Sequence, residues 1–288
     1  NQIKIFKPDI IHTHLRNDSI ACLLINENPI IRTFQNSIPF KASPSNGEKM
    51  SISTKILIKL EKLSILKKNF HLVACNDTSQ KILNTYLTKY NKNCNTVIKN
   101  AIDLSRIKKL SSNHYPTKKS TIIMIGTLYK TKNQIMGLYA LRKIIDEGFD
   151  VELQIIGDGQ DKLKLINIAD KLNILDKVKF LGKVENVQDH LKKATIYWST
   201  SLSEGFSIAN LEAMAMGIPI IATDVDGNSE MLKNFKKHCL VKLNKVDDLA
   251  NNSIRLIKDR DLLIKLGQEI MDYTYKNYNL DKFVNRYL

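Results

Sequence analysis

The chain has 288 residues, of which 43% are hydrophobic and 25% charged, as in a globular protein with room for two domains. Its 11 glycines, 6 prolines and 4 widely separated cysteines exclude collagen-like, disordered and disulfide-framework classes and favour a reducing, cytoplasmic setting. The net charge is +15, of which residues 1–116 carry +11, so the charge favours an anionic partner unless it reflects only an AT-rich codon bias.

Strand and helix patterns alternate in the first part of the chain. Short apolar runs predict strands at 8–14, 29–34, 71–75 and 97–100, and helical periodicity predicts helices at 51–68 and 78–89. This alternation predicts a parallel α/β sheet. Residues 105–119 are polar, contain Pro116 and show no periodicity, so they predict a linker between domains.

The predicted helix at 51–68 carries both apolar and basic side chains. One face holds Ile52, Ile56, Leu60 and Leu63, and Lys55, Lys59 and Lys62 lie off it. We expect the apolar face to pack on the sheet and the lysines to lie in water. The alternative is that this basic helix lies on an anionic membrane surface.

The second part of the chain alternates more regularly. Strands are predicted at 121–125, 151–156, 178–181, 195–199, 219–223 and 239–243, and helices at 133–147, up to 172, at 187–193, 208–216, 246–258, 261–276 and from 280. This order predicts a complete doubly wound domain, whose ligands bind at the carboxyl ends of the strands. Five consecutive strand ends carry small or polar residues, at 126–127, 157–159, 181–182, 201–207 and 223–230.

The fourth of these strand ends leads into the most informative segment. Glu204 and Glu212 are separated by seven residues, the first in a loop and the second inside an otherwise apolar helix. Gly205 allows a tight turn beside a ligand, and the free N–H groups of residues 206–208 form a helix N-terminus that suits a phosphate or a sugar hydroxyl. An unpaired buried glutamate is costly, so we expect Glu212 to face a cleft. The alternative is an N-capped helix with a solvated glutamate.

The segment EGFSIANLEAMAMGIPIIATD, residues 204–224, resembles the glutamate–seven–glutamate signature of glycosyltransferase family 4. Further segments resemble this family in the expected order: KPDIIHTH at 7–14, VIKNAID at 97–103, IGTLYKTKN at 125–133, GDG at 157–159 and VKFLG at 178–182. Members of the family are retaining enzymes that use nucleotide sugars and have the GT-B fold. The resemblance covers nearly the whole chain.

The resemblance implies roles for individual residues. Glu204 contacts the hydroxyls of the donor sugar, Glu212 binds the ribose hydroxyls, and Lys132 neutralises the leaving diphosphate. His14 approaches the donor sugar from the first domain. The donor-binding set is completed by Gly126, Thr127, Gly159, Leu181, Gly205, Phe206 and Ser207. Thr127 stands where the family carries an arginine, so Lys132 has more of the diphosphate charge to neutralise.

The resemblance also implies an α/β fold with two Rossmann-like, doubly wound domains facing across a cleft. Residues 1–110 form an incomplete acceptor-binding domain, because the His-x-His strand begins earlier in this chain than in the family. Residues 111–275 form the donor-binding domain, and 276–288 form a helix that returns toward the first domain. No metal or cofactor is expected, and the pair Asp224 and Asp226 is interpreted as part of a loop.

The function expected from the resemblance is sugar transfer from a nucleotide sugar to a glycan or lipid-linked acceptor, in bacterial surface-polysaccharide synthesis. The setting is cytoplasmic, at the inner face of the membrane. One alternative is a non-catalytic module that binds nucleotide sugars. Another is a nucleic-acid binder, which the net charge suggests but no recognised motif supports. His12 and His14 face the same side of a strand, which leaves open a metal pair, a structural role or the donor-site role.

Overall fold

The computed structural model describes residues 7–25, 28–35, 52–107 and 119–287. They fall into two compact units, Asn1–Lys99 and Asn100–Leu288. This division comes earlier than the boundary after residue 110 that the sequence suggested, and most of the expected linker lies outside the described residues. Residues 276–287 belong to the second unit, and their expected return toward the first stays a prediction.

The first unit is a four-stranded parallel sheet with helical connections. Its elements are β1 (Ile11–Thr13), α1 (Arg16–Ala21), β2 (Ile30–Phe34), α2 (Ile52–Ser64), β3 (Phe70–Ala74), α3 (Asp77–Leu87) and β4 (Thr96–Val97). The strands pair in the order β1–β2–β3–β4, which confirms the expected parallel α/β sheet. Ile30, Phe70 and Leu83 lie in its buried core.

Helix α2 turns a different face to the core from the one that the sequence predicted. Ile58, Glu61 and Ser64 are buried, whereas Ile52, Ile56 and Leu63 are 78%, 53% and 50% exposed. The reason is an interior ion pair: the carboxylate of Glu61 accepts from Arg32 of β2 at 2.7 Å, so the polar side of the helix faces the sheet. Hydrophobic periodicity alone cannot detect such a pair, and the expected packing of the apolar face was wrong.

The second unit is a six-stranded parallel sheet. Its strands are β5 (Ser120–Ile125), β6 (Val151–Ile156), β7 (Val178–Gly182), β8 (Ile196–Ser199), β9 (Ile220–Thr223) and β10 (Leu240–Val241). Its α-helices are α4 (Gln134–Asp146), α5 (Lys162–Lys171), α6 (Val187–Leu191), α7 (Ile208–Ala215), α8 (Asp226–Met231), α9 (Lys236–Cys239), α10 (Val246–Lys258), α11 (Arg260–Asn277) and α12 (Leu280–Val284). The order β10–β9–β8–β5–β6–β7 confirms the doubly wound arrangement.

This strand order creates a switch point between β5 and β8. The chain moves outward from β5 to β6 and β7 on one side, and from β8 to β9 and β10 on the other. Connections that leave in opposite directions open a crevice at the carboxyl ends of the two central strands. The fold therefore places the loops after β5 and β8 next to each other.

Two buried features anchor this region. Trp198 of β8 is a core residue, and its Nε1–H donates to Ser253 Oγ of α10 at 2.9 Å. Met136 and Leu138 lie on the buried side of α4, which follows the loop after β5. Among the described helices, none is both long and apolar enough to cross a lipid bilayer.

Candidate functional site

An ion pair occupies the switch point. Lys132, on the turn after β5, places its Nζ 2.6 Å from Oε2 of Glu204, on the loop after β8. The Ser201 hydroxyl donates to the same carboxylate oxygen at 2.9 Å. The Glu204 side chain is 12% exposed and that of Lys132 is 28% exposed, so the pair is partly withdrawn from water but accessible to a ligand.

The backbone fixes both segments that carry this pair. The Leu202 N–H donates to the Thr131 carbonyl at 2.8 Å, and the Thr200 hydroxyl donates to the Lys132 carbonyl at 3.0 Å. A Cβ added at Gly126 would meet Lys132 Cε at 3.4 Å, so the lysine stem runs along this glycine. The turn and the loop are thus joined before any ligand binds.

The loops after β5 and β6 pack backbone against backbone. A Cβ at Gly157 would lie 1.9 Å from the Gly126 carbonyl oxygen, and one at Gly159 would lie 2.5 Å from that of Leu128. Only glycine permits this approach. Gly159 is therefore placed beside the loop that carries Gly126, at the ligand-binding edge that the sequence predicted.

The helix after Glu204 has a capped N-terminus that borders the same crevice. Ser207 caps α7 by accepting from the Asn210 N–H at 3.4 Å, and it lines one cleft with Lys132 and Glu204. Its free first-turn N–H groups and the helix dipole make this end suitable for a negatively charged group. Gly227 of α8 donates its N–H to the Glu204 carbonyl at 3.0 Å, which holds the loop in place.

The Phe206 side chain packs in the interior of the second unit. Its side chain is buried against the Tyr278 ring, with centroids 5.3 Å apart, and its carbonyl accepts from the Asn100 side chain at 2.7 Å. Gly205 is also buried, and a Cβ at Gly227 would lie 1.6 Å from its carbonyl oxygen. Any contact from these two residues to a ligand therefore comes from the backbone.

The second glutamate lies in the same neighbourhood. Glu212 is half-buried on α7, and burial raises the pKa of its carboxyl. Tyr197 of β8 is buried; that burial raises the pKa of its hydroxyl, and the charges of Glu204 and Glu212 raise it further. The charges of both carboxylates therefore reach the hydroxyl of the same tyrosine. No described residue forms a hydrogen bond with the Glu212 side chain.

The remaining predicted residues are Thr127, Leu181 and His14. Thr127 is exposed and uses its carbonyl to accept from Gln134 at 3.0 Å, while Leu181 lies within β7. His14 belongs to the first unit, where its ring centroid is 4.2 Å from that of His12. Partial burial and then the charge of Arg32 lower the pKa of His14, which favours a neutral imidazole. Its role at the donor stays a prediction.

The two aspartates after β9 have separate partners. Asp226 begins α8 and accepts from the Ser203 hydroxyl at 3.1 Å, whereas Asp224 lies 3.4 Å from Lys236 Nζ. The interpretation of this pair as one loop was wrong for Asp226, because a short polar helix starts there. Among the described residues, no group of three or more His, Cys, Asp or Glu side chains is placed to hold a metal.

Several site residues were not singled out from the sequence. Ser201 and Gln134 line the cleft, and Asn100 holds the backbone at Phe206. Ser201 belongs to a strand-end loop that the sequence did identify. No sequence pattern marks Gln134 as a site residue, because it resembles the first residue of an ordinary helix. The second unit thus combines a Rossmann-like sheet with a cation and a partly buried carboxylate at its switch point, which is where ligands of such sheets bind.

Residues 105–276, more than half of the chain, match the family model described as glycosyl transferases group 1. The chain belongs to this family. The matched residues run from before β5 into α11 and include Lys132, Glu204 and Glu212.

Three known proteins illustrate the relationship. N-acetyl-alpha-D-glucosaminyl L-malate synthase of Bacillus anthracis is 28% identical over 225 residues, which are 78% of this chain and 56% of that protein. UDP-Gal:alpha-D-GlcNAc-diphosphoundecaprenol alpha-1,3-galactosyltransferase of Escherichia coli is 28% identical over 203 residues, covering 66% and 52%. The crystal structure of Anabaena Alr3699/HepE in complex with UDP aligns with a TM-score of 0.78 and 17% identity, covering 97% of this chain and 77% of that one.

These comparisons define the fold and the extent of the match. The chain spans about half the length of the curated relatives named above. The structural likeness shows the α/β GT-B type of fold, with a Rossmann-like parallel sheet in each unit.

Proposed function

We propose that this chain is part of a retaining glycosyltransferase of family 4 that moves a sugar from a nucleotide-sugar donor to a glycan or lipid-linked acceptor. The observation that carries the proposal is the pair formed by Lys132 and Glu204 at the switch point, beside the capped N-terminus of α7. A cation and a helix N-terminus suit the diphosphate, and the carboxylate suits the sugar hydroxyls.

The proposed reaction assigns a role to each member of this pair. As the bond between the sugar C1 and the diphosphate oxygen breaks, negative charge grows on the leaving group, and the Lys132 ammonium stabilises it. The acceptor oxygen bonds to C1 on the same face, and its proton passes to the leaving diphosphate. Glu204 accepts hydrogen bonds from sugar hydroxyls and holds the ring in place. We assign no metal to this step, since the lysine supplies the positive charge.

The other donor contacts complete the proposal. Glu212 binds the ribose hydroxyls, and Gly126, Gly159 and the α7 N-terminus surround the diphosphate. Thr127, Leu181, Gly205 and Phe206 line the same donor site, the last two through their backbone. His14 contacts the sugar from the first unit. The name of the Escherichia coli relative supports a UDP-linked donor and a lipid-linked acceptor. Surface-polysaccharide synthesis at the cytoplasmic face of the membrane is the setting that we propose with them.

A ligand panel tests this proposal. The full chain is titrated with uridine, guanosine and adenosine diphosphate sugars by thermal shift and calorimetry, and we expect the uridine donor to stabilise it. A donor at about 100 times its Kd adds about 2.7 kcal/mol to the free energy of unfolding. Stabilisation by none of the three contradicts a donor site. Donor binding with no transfer of the sugar to a lipid-linked acceptor, and so no release of nucleoside diphosphate, selects the alternative, a non-catalytic binding module.

We further propose that α2 attaches the chain to an anionic membrane surface. Its exposed face carries the apolar side chains of Ile52, Ile56 and Leu63, with Lys55 and Lys59 also exposed. Apolar side chains interleaved with lysines are typical of helices that lie in the interface of an anionic bilayer. Lysines are less favourable on a surface that is covered by protein. The positive charge of Lys55 and Lys59 therefore favours anionic lipid as the partner of this helix face.

Vesicle binding tests the membrane surface. We expect the full chain to co-sediment with phosphatidylglycerol vesicles and to dissociate as salt increases, with little binding to phosphatidylcholine vesicles. Ile52→Asn should lower the fraction bound several-fold, because it removes a 78% exposed apolar side chain from the interface. The matched control is Leu163→Asn on α5, where the leucine is 75% exposed. Equal losses in both variants, or no vesicle binding, contradict the proposal.

A further inference from the structure

A second cavity lies on the outer side of the turn that carries Lys132. Its volume is about 620 Å³, a figure that includes open solvent. Its walls come from the turn after β5, the start of α4, the start of α5 and the loop after β8. The lining side chains used below are Tyr129, Lys130, Asn133, Asp161, Lys164 and Asn244.

The cavity combines an apolar floor with polar groups at its rim. Leu165 is buried beneath it, and Leu202 and Ile135 contribute the remaining apolar surface. No described residue hydrogen-bonds the side chains of Tyr129, Lys130, Asp161 or Lys164, so their polar groups are available to a ligand. An apolar floor with a few convergent polar groups is the usual composition of a ligand pocket.

The chemistry of the rim indicates the kind of ligand. Asp161 accepts hydrogen bonds, Lys130 and Lys164 donate them, and the amides of Asn133 and Asn244 do both. Tyr129 is 43% exposed and offers a flat ring. Two lysines and one aspartate give the rim both signs of charge, so an uncharged ligand that donates and accepts hydrogen bonds can contact each of them. A ligand with several hydroxyls, each able to donate and accept, and with an apolar ring face uses all of these groups.

We infer that this cavity binds a neutral saccharide unit, at a site distinct from the donor cleft. The two sites share one wall, because Gln134 lines both of them. The Leu202 N–H bonds the Thr131 carbonyl at 2.8 Å, so the segments that carry Lys132 and Glu204 also border the second cavity. The inference stands on the composition of the cavity and does not require the proposed transfer reaction.

Saturation-transfer NMR on the full chain tests this site with methyl glucoside, N-acetylglucosamine and galactose as separate probes. We expect at least one to bind, and Tyr129→Ala and Asp161→Ala each to weaken that binding about fivefold or more. The matched control is Tyr139→Ala on α4, where the tyrosine is 45% exposed, against 43% for Tyr129. Melting temperatures of all variants establish that they are folded.

Saturating UDP separates this site from the donor cleft. Saccharide binding that persists in its presence, and also in Glu204→Gln, supports a second site and does so whether or not sugar transfer occurs. Saccharide binding that UDP abolishes places the sugar in the donor cleft and overturns the inference. Failure of all three probes overturns it as well. Binding of inorganic phosphate that is lost in Lys130→Ala and Lys164→Ala identifies an anion site instead.

Discussion

The Lys132→Met variant is expected to bind UDP about ten to a hundred times more weakly than the unmodified chain. A hydrogen bond to a charged group is worth about 1.5–3 kcal/mol, and each tenfold in affinity corresponds to about 1.4 kcal/mol. Methionine keeps most of the apolar stem that runs along Gly126 and removes only the ammonium. Calorimetric titration of the full chain measures the change.

Glu204→Gln should change the UDP affinity in the opposite direction. In the unliganded structure, the Glu204 carboxylate holds the Lys132 ammonium at 2.6 Å and competes with a diphosphate for it. Glutamine keeps the shape, removes the negative charge and frees the lysine, so UDP should bind at least about threefold more tightly. Sugar transfer should nevertheless be lost, because the glutamine side chain is a weaker hydrogen-bond partner for the hydroxyls of the donor sugar.

Lys171→Met controls for the loss of one positive charge. Lys171 is exposed at the end of α5, and the described residues include no ion-pair partner for it. We expect its UDP affinity to match that of the unmodified chain. Two outcomes contradict the assignment: normal UDP binding by Lys132→Met, or equal weakening by Lys132→Met and Glu204→Gln.

The second large effect is expected in the first unit. Glu61→Ala should lower the free energy of unfolding by about 3–5 kcal/mol, because it leaves the buried charge of Arg32 without a carboxylate. The two side chains are 2% and 6% exposed, and Arg16 bonds the other carboxylate oxygen at 2.8 Å. Arg32 Nε already lacks a partner among the described residues, so no spare acceptor is available.

Native-state amide hydrogen exchange locates this loss. Protection should fall in peptides from β2 and β3, and not in those from β5 and β6. The double variant Arg32→Met and Glu61→Met should recover much of the stability, since both charges are removed together. Arg142→Ala is the surface control: its exposed pair with Asp146 should contribute less than about 1 kcal/mol. Equal losses in Glu61→Ala and Arg142→Ala contradict the argument.

Local signals in the sequence were sufficient for most of the second unit. The strand at Val151–Ile156 and the helix at Val246–Lys258 begin and end where the sequence pattern placed them, because apolar residues alternate along the first and recur at helical spacing in the second. Short polar helices were missed. Arg16–Ala21 and Asp226–Met231 have six residues each, too few to show a period, and Gly227 lowers the helix propensity of the second.

The sequence identified individual residues of the candidate site, but not which of them form an ion pair. Glu204 and Lys132 were each identified, yet they are 72 residues apart, and only the strand order β6–β5–β8 brings them together. The face of α2 could not be predicted for a related reason. The partner of Glu61 is Arg32 on another element, and a pattern confined to one helix contains no information about it.

The burial of Trp198 at the switch point has a practical consequence. It is the only tryptophan of the chain, and it lines the cleft beside Lys132 and Glu204 while its indole nitrogen is fixed by Ser253. All indole emission of this chain therefore originates beside the cleft that Lys132 and Glu204 line. Nucleotide binding at the proposed donor site can be followed by fluorescence in real time without a label, and stopped-flow mixing can separate the association and dissociation rates.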